Sequence, residues 1–210
     1  MNISKHIQIL VLVLFPACLM GMGHGCWTEQ DKLGRNVLIE WRKITDYQKL
    51  LDAERELIPV MAAAFQHEVI MSKDPVENSI LATTSLQQQN EAEMSKYLQR
   101  QKIKIFTSFV VIVKDVGSDK ILGFAMFHSK PKFEKGCIQL EPLAVIPAAQ
   151  GRGLSRKLVF SILKLMPGVN QIELFVRHEN VKAQAVYKSM GFSVHEELKF
   201  GKRLKYVIKS

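Results

Sequence analysis

The sequence predicts a single α/β domain, built as a mixed, largely antiparallel central sheet flanked by helices. Three observations carry that expectation. The chain has 210 residues, 47% of them hydrophobic and 23% charged, which suits one globular domain with a real core. Short apolar runs joined by a turn-rich segment give antiparallel hairpins in its middle. A strand–helix–strand unit follows them, and the two textures together make one layered α/β fold.

The elements can be taken in order from Val37. Val37, Ile39 and Trp41 alternate with polar or mixed residues, as in a half-buried strand. Thr45-Asp46-Tyr47-Gln48 reads as the capping box of a helix whose apolar stripe is Leu50, Leu51, Leu57, Ile58, Met61, Phe65 and Val69. Pro59 should kink or divide it. A second helix opens at Asp74-Pro75 and runs, with a break, through the Gln-rich stretch 87–89 to about Lys102. Ile105–Val113 and Ile121–Phe127 are apolar strands joined through Asp115-Val116-Gly117-Ser118-Asp119. Cys137–Ile146 is a further strand, and Arg152–Met166 a helix with Leu154, Leu158, Ile162 and Leu165 on one face, stopped by Pro167-Gly168. Gln171–Val176 is a strand, Val181–Met190 a short helix ended by Gly191, and Phe192–Leu198 and Leu204–Ile208 are final strands turning around Gly201.

Residues 1–26 have a different texture. Lys5 and His6 precede an uncharged apolar stretch, Ile7–Gly23, and the small residues Gly21, Gly23 and Gly25 follow, the pattern of a secretory or membrane-targeting segment. Residues 7–23 sit at the lower length limit for crossing a bilayer and could make a membrane contact. An internal start at Met20 or Met22 would instead leave a cytoplasmic chain. The expected organisation is therefore a targeting segment at 1–26 and a folded domain at 37–210, exported or membrane-associated in the first case. Cys26 and Cys137, 111 positions apart, form neither a disulfide framework nor a metal-ligand pattern, and Cys137 reads as a small core residue.

Charge narrows the partners. The net charge is +9, and residues 152–210 hold 12 Lys/Arg against 4 Asp/Glu, while residues 1–151 hold 17 against 16. A basic final third favours an anionic partner. With no long basic run and only Phe175 and Tyr187 among the basic residues between 164 and 191, nucleic acid is not expected.

The informative stretch is Leu140-Glu-Pro-Leu-Ala-Val-Ile-Pro-Ala-Ala-Gln-Gly-Arg-Gly-Leu-Ser155. A strand ends at Ile146-Pro147, and two glycines lie where a tight loop opens into a helix. Glycine allows close backbone approach and positive φ, and the free N–H groups of the first helical turn attract an anion. A Gly-x-Gly before a helix is also common as mere packing. Neither a Gly-Lys-Ser/Thr nucleotide loop nor a three-glycine dinucleotide fingerprint is present.

Val145-x-Pro147-x-x-Gln150-Gly151-Arg152-Gly153-Leu154 resembles the Gln/Arg-x-x-Gly-x-Gly/Ala signature of the GNAT superfamily of N-acetyltransferases. The second half of that pattern follows at the right distance as Asn180-Val-Lys-Ala183-Gln-Ala-Val-Tyr187-Lys-Ser-Met190-Gly191-Phe192. The resemblance spans 37–210 in layout and is strongest over 140–192. It departs at Ser155, where Gly or Ala is usual; serine is small and can donate to phosphate.

The resemblance implies an enzyme that transfers acetyl from acetyl-CoA, as co-substrate and without a metal, directly to a primary amine through a tetrahedral intermediate. It implies a pyrophosphate site at Gln150, Gly151, Arg152, Gly153, Leu154 and Ser155. The pantetheine arm would lie along the backbone of Leu143, Ala144 and Val145 almost as an added strand. Asn180, with Ala183 beside it, would contact pantetheine, and Tyr187 would protonate the departing thiolate. A lysine-like amine has a pKa of about 10.4, so a base or water chain must remove a proton near neutrality. Glu141 is the best-placed base by sequence, or else only a hydrogen-bonding residue; Glu40, Glu173 and His178 are weaker candidates. The alternative function is a non-catalytic acyl-CoA-binding sensor or scaffold. The acceptor should be set by residues 46–104 and the C-terminal strands, and the assembly is expected to be a monomer or homodimer.

Overall fold

The computed structural model describes residues 23–45, 47–65, 107–129 and 136–208. They form an eight-stranded sheet in the order β1-β2-β3-β4-β5-β6-β8-β7. The strands are β1 His24–Gln30, β2 Asn36–Ile44, β3 Thr107–Asp115, β4 Ile121–Ser129, β5 Cys137–Val145, β6 Gln171–Arg177, β7 Ser193–Leu198 and β8 Gly201–Val207. Three helices accompany them: α1 Tyr47–Ala64, α2 Leu154–Leu165 and α3 Val181–Met190. Every neighbouring pair is antiparallel except β5 with β6, which run parallel. The expected fold class holds.

β3 and β4 form the centre. Phe109–Val113 and Leu122–Phe127 are buried at every position, so both faces of these strands are covered. Such strands read as continuous apolar runs instead of alternating ones, as 109–113 and 124–127 do. α2 packs against β3, β4 and β5, and α1 against β2, β4 and β5. The apolar face expected of α2 is the one that is buried: Leu154, Leu158, Ile162 and Leu165. Asp115 closes the β3–β4 turn, accepting from the backbone N–H groups of Gly117 at 3.0 Å and Ser118 at 3.2 Å.

Three details differ from expectation. Pro59 lies inside α1 without dividing it. The final turn falls at Lys199-Phe200, so that Gly201 opens β8; its missing side chain lets it approach the Val176 carbonyl, which a Cβ would meet at 2.3 Å. The sheet also starts at His24, ahead of the expected domain start at Val37 and inside the segment 1–26. β1 pairs with β2 along its whole length, from His24 opposite Arg42 to Gln30 opposite Asn36. Its inward positions are Gly25, Trp27 and Glu29 instead of a regular aliphatic set, so its alternation is weak in sequence. The rest of the leader, the helix expected from Asp74 and residues 105–106 lie outside the described residues. No helix among the described residues is long and apolar enough to cross a membrane.

An acidic residue compensates for the poor apolar pattern of β1. Glu29 accepts from Lys157 Nζ and Lys164 Nζ, both at 2.6 Å, and from Trp27 Nε1 at 2.9 Å. The two lysines are seven residues apart on α2, hence on one helical face. Burial alone would raise the Glu29 pKa, but these donors outweigh it and hold the carboxyl at about 2, from an ordinary 4.5. A depressed folded-state pKa stabilises the fold above the unfolded value and ceases to do so as pH falls through the folded one. The stability gap between wild type and Glu29→Gln should therefore be constant above about pH 5 and shrink steadily towards pH 2. Denaturant midpoints measured across that range test this; a gap independent of pH would contradict it.

Candidate functional site

The site begins where the sheet stops being continuous. β5 and β6 pair only over Cys137–Gln139 and Gln171–Glu173. β6 stays on β8 through Arg177, while β5 stays on β4 through Val145. From Leu140 onward the edge of β5 facing β6 is therefore unpaired by any strand. Pro142, in that stretch, has no N–H to offer a ladder. A wedge-shaped opening results, bounded by Glu141–Val145 on one side and Leu174–Arg177 on the other.

Both strands run into helices at the same end of this opening, the carboxyl end of parallel strands where α/β sheets place ligands. After β5 a short 3₁₀ turn, Pro147–Ala149, leads to the glycine loop and α2. After β6 the chain turns through His178–Asn180 into α3. Gln150 ties the two together. Its Nε2 donates to the Val145 carbonyl at 3.2 Å, and its Oε1 accepts from Lys182 Nζ of α3 at 2.5 Å.

The loop has the geometry its glycines suggested. Gly151 and Gly153 have φ of 79° and 77°, and Gly153 is the N-cap of α2. A side chain on Gly151 would meet nothing within 4 Å, so that side of the loop is open. The N–H groups of Gly153, Leu154, Ser155 and Arg156 find no acceptor among the described residues. Orphan donors at the positive end of a 12-residue helix make a fitting seat for phosphate oxygens.

Arg152 departs from what its place in the motif suggested. Its side chain points inward, 5% exposed, with Nε 2.5 Å from Asp31 Oδ2. Only its backbone remains for a ligand. Asp31 and Lys32, in the β1–β2 turn, were not anticipated by sequence. The Asp-x-x-Gly turn pattern of 31–34 could have marked the hairpin, but nothing local marks its contact with a loop 121 residues away.

On α3, Asn180 is the N-cap, its Oδ1 accepting from Ala183 N at 2.9 Å. Tyr187 lies seven positions on, so it shares a face with Asn180. It is half-buried and set by aromatic packing: edge-on to Phe192 at 5.6 Å, with Phe192 on Tyr206 and Tyr206 on Phe160 of α2. Leu143, Ala144 and Val145 line the opening opposite, paired with Ala125, Phe124 and Gly123 of β4. The structure thus places 143–145 on the open edge of β5, 150–155 at the head of α2, and 180, 183 and 187 on α3, which reaches the loop through Lys182 and Gln150.

The carboxylates are less concentrated. Glu141 is half-buried at the split, its Oε2 accepting from Gln139 Nε2 at 2.6 Å. Its carbonyl accepts from Nε2 of buried His128, whose Nδ1 lies 2.9 Å from Ser108 Oγ. Glu173, at the last position where β6 pairs with β5, is taken up by Lys205 at 3.3 Å and Gln171 at 3.1 Å. Glu40 is three strands away and paired with Lys114 at 3.0 Å. His178 is exposed and donates to the Leu198 carbonyl at 2.9 Å. Beside the split, Gln139, Glu173, Leu174, Phe175 and Arg203 line a cavity of about 160 Å³. Among the described residues no three His, Cys, Asp or Glu side chains converge as metal ligands would.

A split sheet with a helix terminus of orphan N–H donors after one strand and a capped, tyrosine-bearing helix after the other is an architecture suited to acyl-group transfer. The family model described as the acetyltransferase (GNAT) family matches residues 76–192, more than half of the sequence, and the chain belongs to that family. Among curated proteins it is similar to the mycothiol acetyltransferase of Beutenbergia cavernae, 38% identical over 88 residues, which is 41% of this chain and 29% of that one. It is also similar to that of Amycolatopsis mediterranei, 41% identical over 63 residues, 29% of this chain and 21% of the relative. The match spans less than a third of the length of either relative. Among solved structures, the GNAT domain of S. lividans PAT superposes with a TM-score of 0.57 at 13% identity, covering 92% of this chain and 99% of that domain. PaiA N-acetyltransferase from Thermoplasma acidophilum, solved with coenzyme A, gives 0.53 at 16% identity over 80% of this chain and 98% of the other. At such identities the structures speak for the fold.

The open side of Gly151 generates a test. Aspartate and asparagine both tolerate positive φ, so either variant should fold. A carboxylate ~6 Å from a bound phosphate, at an effective dielectric of about 20, repels it by about 2–3 kcal/mol per unit charge. Gly151→Asp should weaken CoA binding by roughly a hundredfold, and Gly151→Asn by far less. Calorimetry on the pair decides, and equal affinities would move the anion site elsewhere.

Proposed function

We propose that the protein transfers an acetyl group from acetyl-CoA to a primary amine, using the split between β5 and β6 as the donor site. The observation that carries this reading is the meeting, at one opening, of the unpaired donors of Gly153–Arg156 with the α3 terminus and Tyr187. A pyrophosphate fits the first, since glycine loop and helix terminus offer both space and donors. The open edge of Leu143–Val145 suits an extended amide-bearing arm, which can satisfy backbone groups as a strand would. The solved PaiA complex with coenzyme A supports the same ligand class.

Acetyl-CoA supplies an activated thioester; the residues supply orientation and proton transfer. Val145 and the loop hold the donor in line with the split. Tyr187, fixed by Phe192 and on the Asn180 face of α3, is the group assigned to protonate the leaving thiolate. Glu141 is the carboxylate assigned to accept a proton from the amine, directly or through water, because it lies on the strand that enters the split. The amine would approach from the side of Gln139 and Glu173, where the cavity lies.

The similarity to mycothiol acetyltransferases places their acceptor in an amine screen alongside polyamines, amino acids and peptides. Residues 1–22 are proposed as a targeting segment. A cut at or before Gly23 would leave β1 whole, and N-terminal sequencing of the native protein checks that position.

Removing the phenolic hydroxyl tests the chemical assignment. Tyr187→Phe should keep the ring packing on Phe192 and lower kcat by about 10²–10⁴-fold, the usual range for general acid–base catalysis, with little change in KM for acetyl-CoA. Amine-dependent release of CoA is the readout. A variant with wild-type kcat would leave Tyr187 a packing residue, and a wild-type chain that binds CoA but releases none with any amine would make it a binding module.

A further inference from the structure

The tip of the β1–β2 hairpin belongs to the donor site, and we infer that Asp31 is the residue that positions the anion-binding loop. The inference rests on the acetyl-CoA reading above and adds to it a residue from the other end of the chain.

Three contacts carry it. The Asp31 carboxylate holds the buried Arg152 guanidinium through Nε at 2.5 Å. The Nη2 of Arg152 is buried with no acceptor among the described residues, so the position of the guanidinium depends on Asp31. The backbone N–H of Lys32 donates to the Arg152 carbonyl at 3.0 Å. The Lys32 methylenes lie where a Gly153 side chain would be, 2.9 to 3.2 Å from a Cβ there, and so fill one side of the loop.

The carbonyl contact has a directional consequence. The peptide joining Arg152 to Gly153 is planar and trans, so its C=O and N–H point to opposite sides. Anchoring the carbonyl on the hairpin aims the Gly153 N–H away from it, alongside the donors of the α2 first turn. Asp31 keeps the anchor in place, because the same carboxylate organises the turn that carries Lys32. It accepts from Leu33 N at 2.8 Å and Arg35 N at 2.9 Å, while its own N–H donates to the Arg35 carbonyl at 2.9 Å. Burial would raise the carboxyl pKa, but these donors and Arg152 outweigh it and hold it far below the usual range. The carboxylate therefore carries its charge near neutral pH. Tyr187 and Glu141 sit on other elements, so loss of the clamp should weaken donor binding and spare the chemical step.

Asp31→Asn retains an oxygen for the Leu33 and Arg35 N–H groups but removes the charge facing Arg152. Because a lone buried guanidinium can unfold a domain, the deciding variant is the double Asp31→Asn/Arg152→Met, which leaves no buried charge behind; the other guanidinium on Asp31, that of Arg35 at 3.2 Å, is half-exposed to solvent. Glu29→Gln serves as the control for a weakened β1 that does not touch the loop. CoA is titrated by calorimetry into each folded protein, and acetyl transfer is measured alongside. The double variant should bind CoA on the order of tenfold to a hundredfold more weakly, as misplaced binding groups do. KM for acetyl-CoA should rise in step, with kcat unchanged, and Glu29→Gln should keep wild-type affinity. A folded double variant with wild-type affinity overturns the role of Asp31 alone. A wild-type chain that fails to bind CoA overturns the acetyl-CoA reading, and this inference with it.

Discussion

Two parallel strands that hydrogen-bond over three residues and then part create the constraint on which the other features of the site depend. Had β5 and β6 stayed paired, the edge of Leu140–Val145 would be spent on the sheet and the helix termini of α2 and α3 would close over a continuous surface. Because β6 keeps its full ladder with β8 and β5 its ladder with β4, the parting stabilises no alternative pairing. The backbone groups it frees sit in a narrow opening next to two helix N-termini. Polar backbone seeks partners, and the proposed donor, with its amides and phosphates, would provide them.

The positive charge of the final third of the chain divides between structure and site. Lys157 and Lys164 are held by Glu29, Arg152 by Asp31, Lys205 by Glu173, Lys202 by Glu197 and Arg203 by Glu196. Two of these acidic partners come from the N-terminal hairpin. Much of the surplus read from composition as a call for an anionic partner therefore serves to bind β1 and its turn onto α2 and the glycine loop. What remains for a ligand is mainly backbone: the orphan N–H groups at the start of α2, with Lys182 near them through Gln150.

Most of the sheet was legible because β2 to β6 obey local rules. Val37, Ile39 and Trp41 alternate, the runs at 109–113 and 124–127 are long enough to be covered on both faces, and α2 carries its apolar residues at helical spacing. The glycine loop was legible for the same reason: positive φ at Gly151 and Gly153 is a property of the residues that occupy it. β1 was not, since its burial depends on Trp27 and the ion pair of Glu29 instead of an aliphatic alternation. The inward turn of Arg152 was not either; its partner is distant in sequence, and no periodicity reports a contact between a hairpin tip and a loop.

Among the described residues, the sequence by itself determined the order of strands and helices from Val37 onward, the glycine loop at the head of α2, and the Asn180–Tyr187 spacing that sets two residues on one helical face. Each of these follows from interactions within a few residues: side-chain alternation, helical periodicity, and the conformational freedom of glycine. Tertiary structure alone decided where β5 leaves β6, which carboxylate lies at the split, and that Asp31 anchors the loop. Those outcomes depend on which strands become neighbours and on how buried charges find their counter-ions. Such choices are made between segments far apart in the chain, where local residue pattern carries no record of the partner.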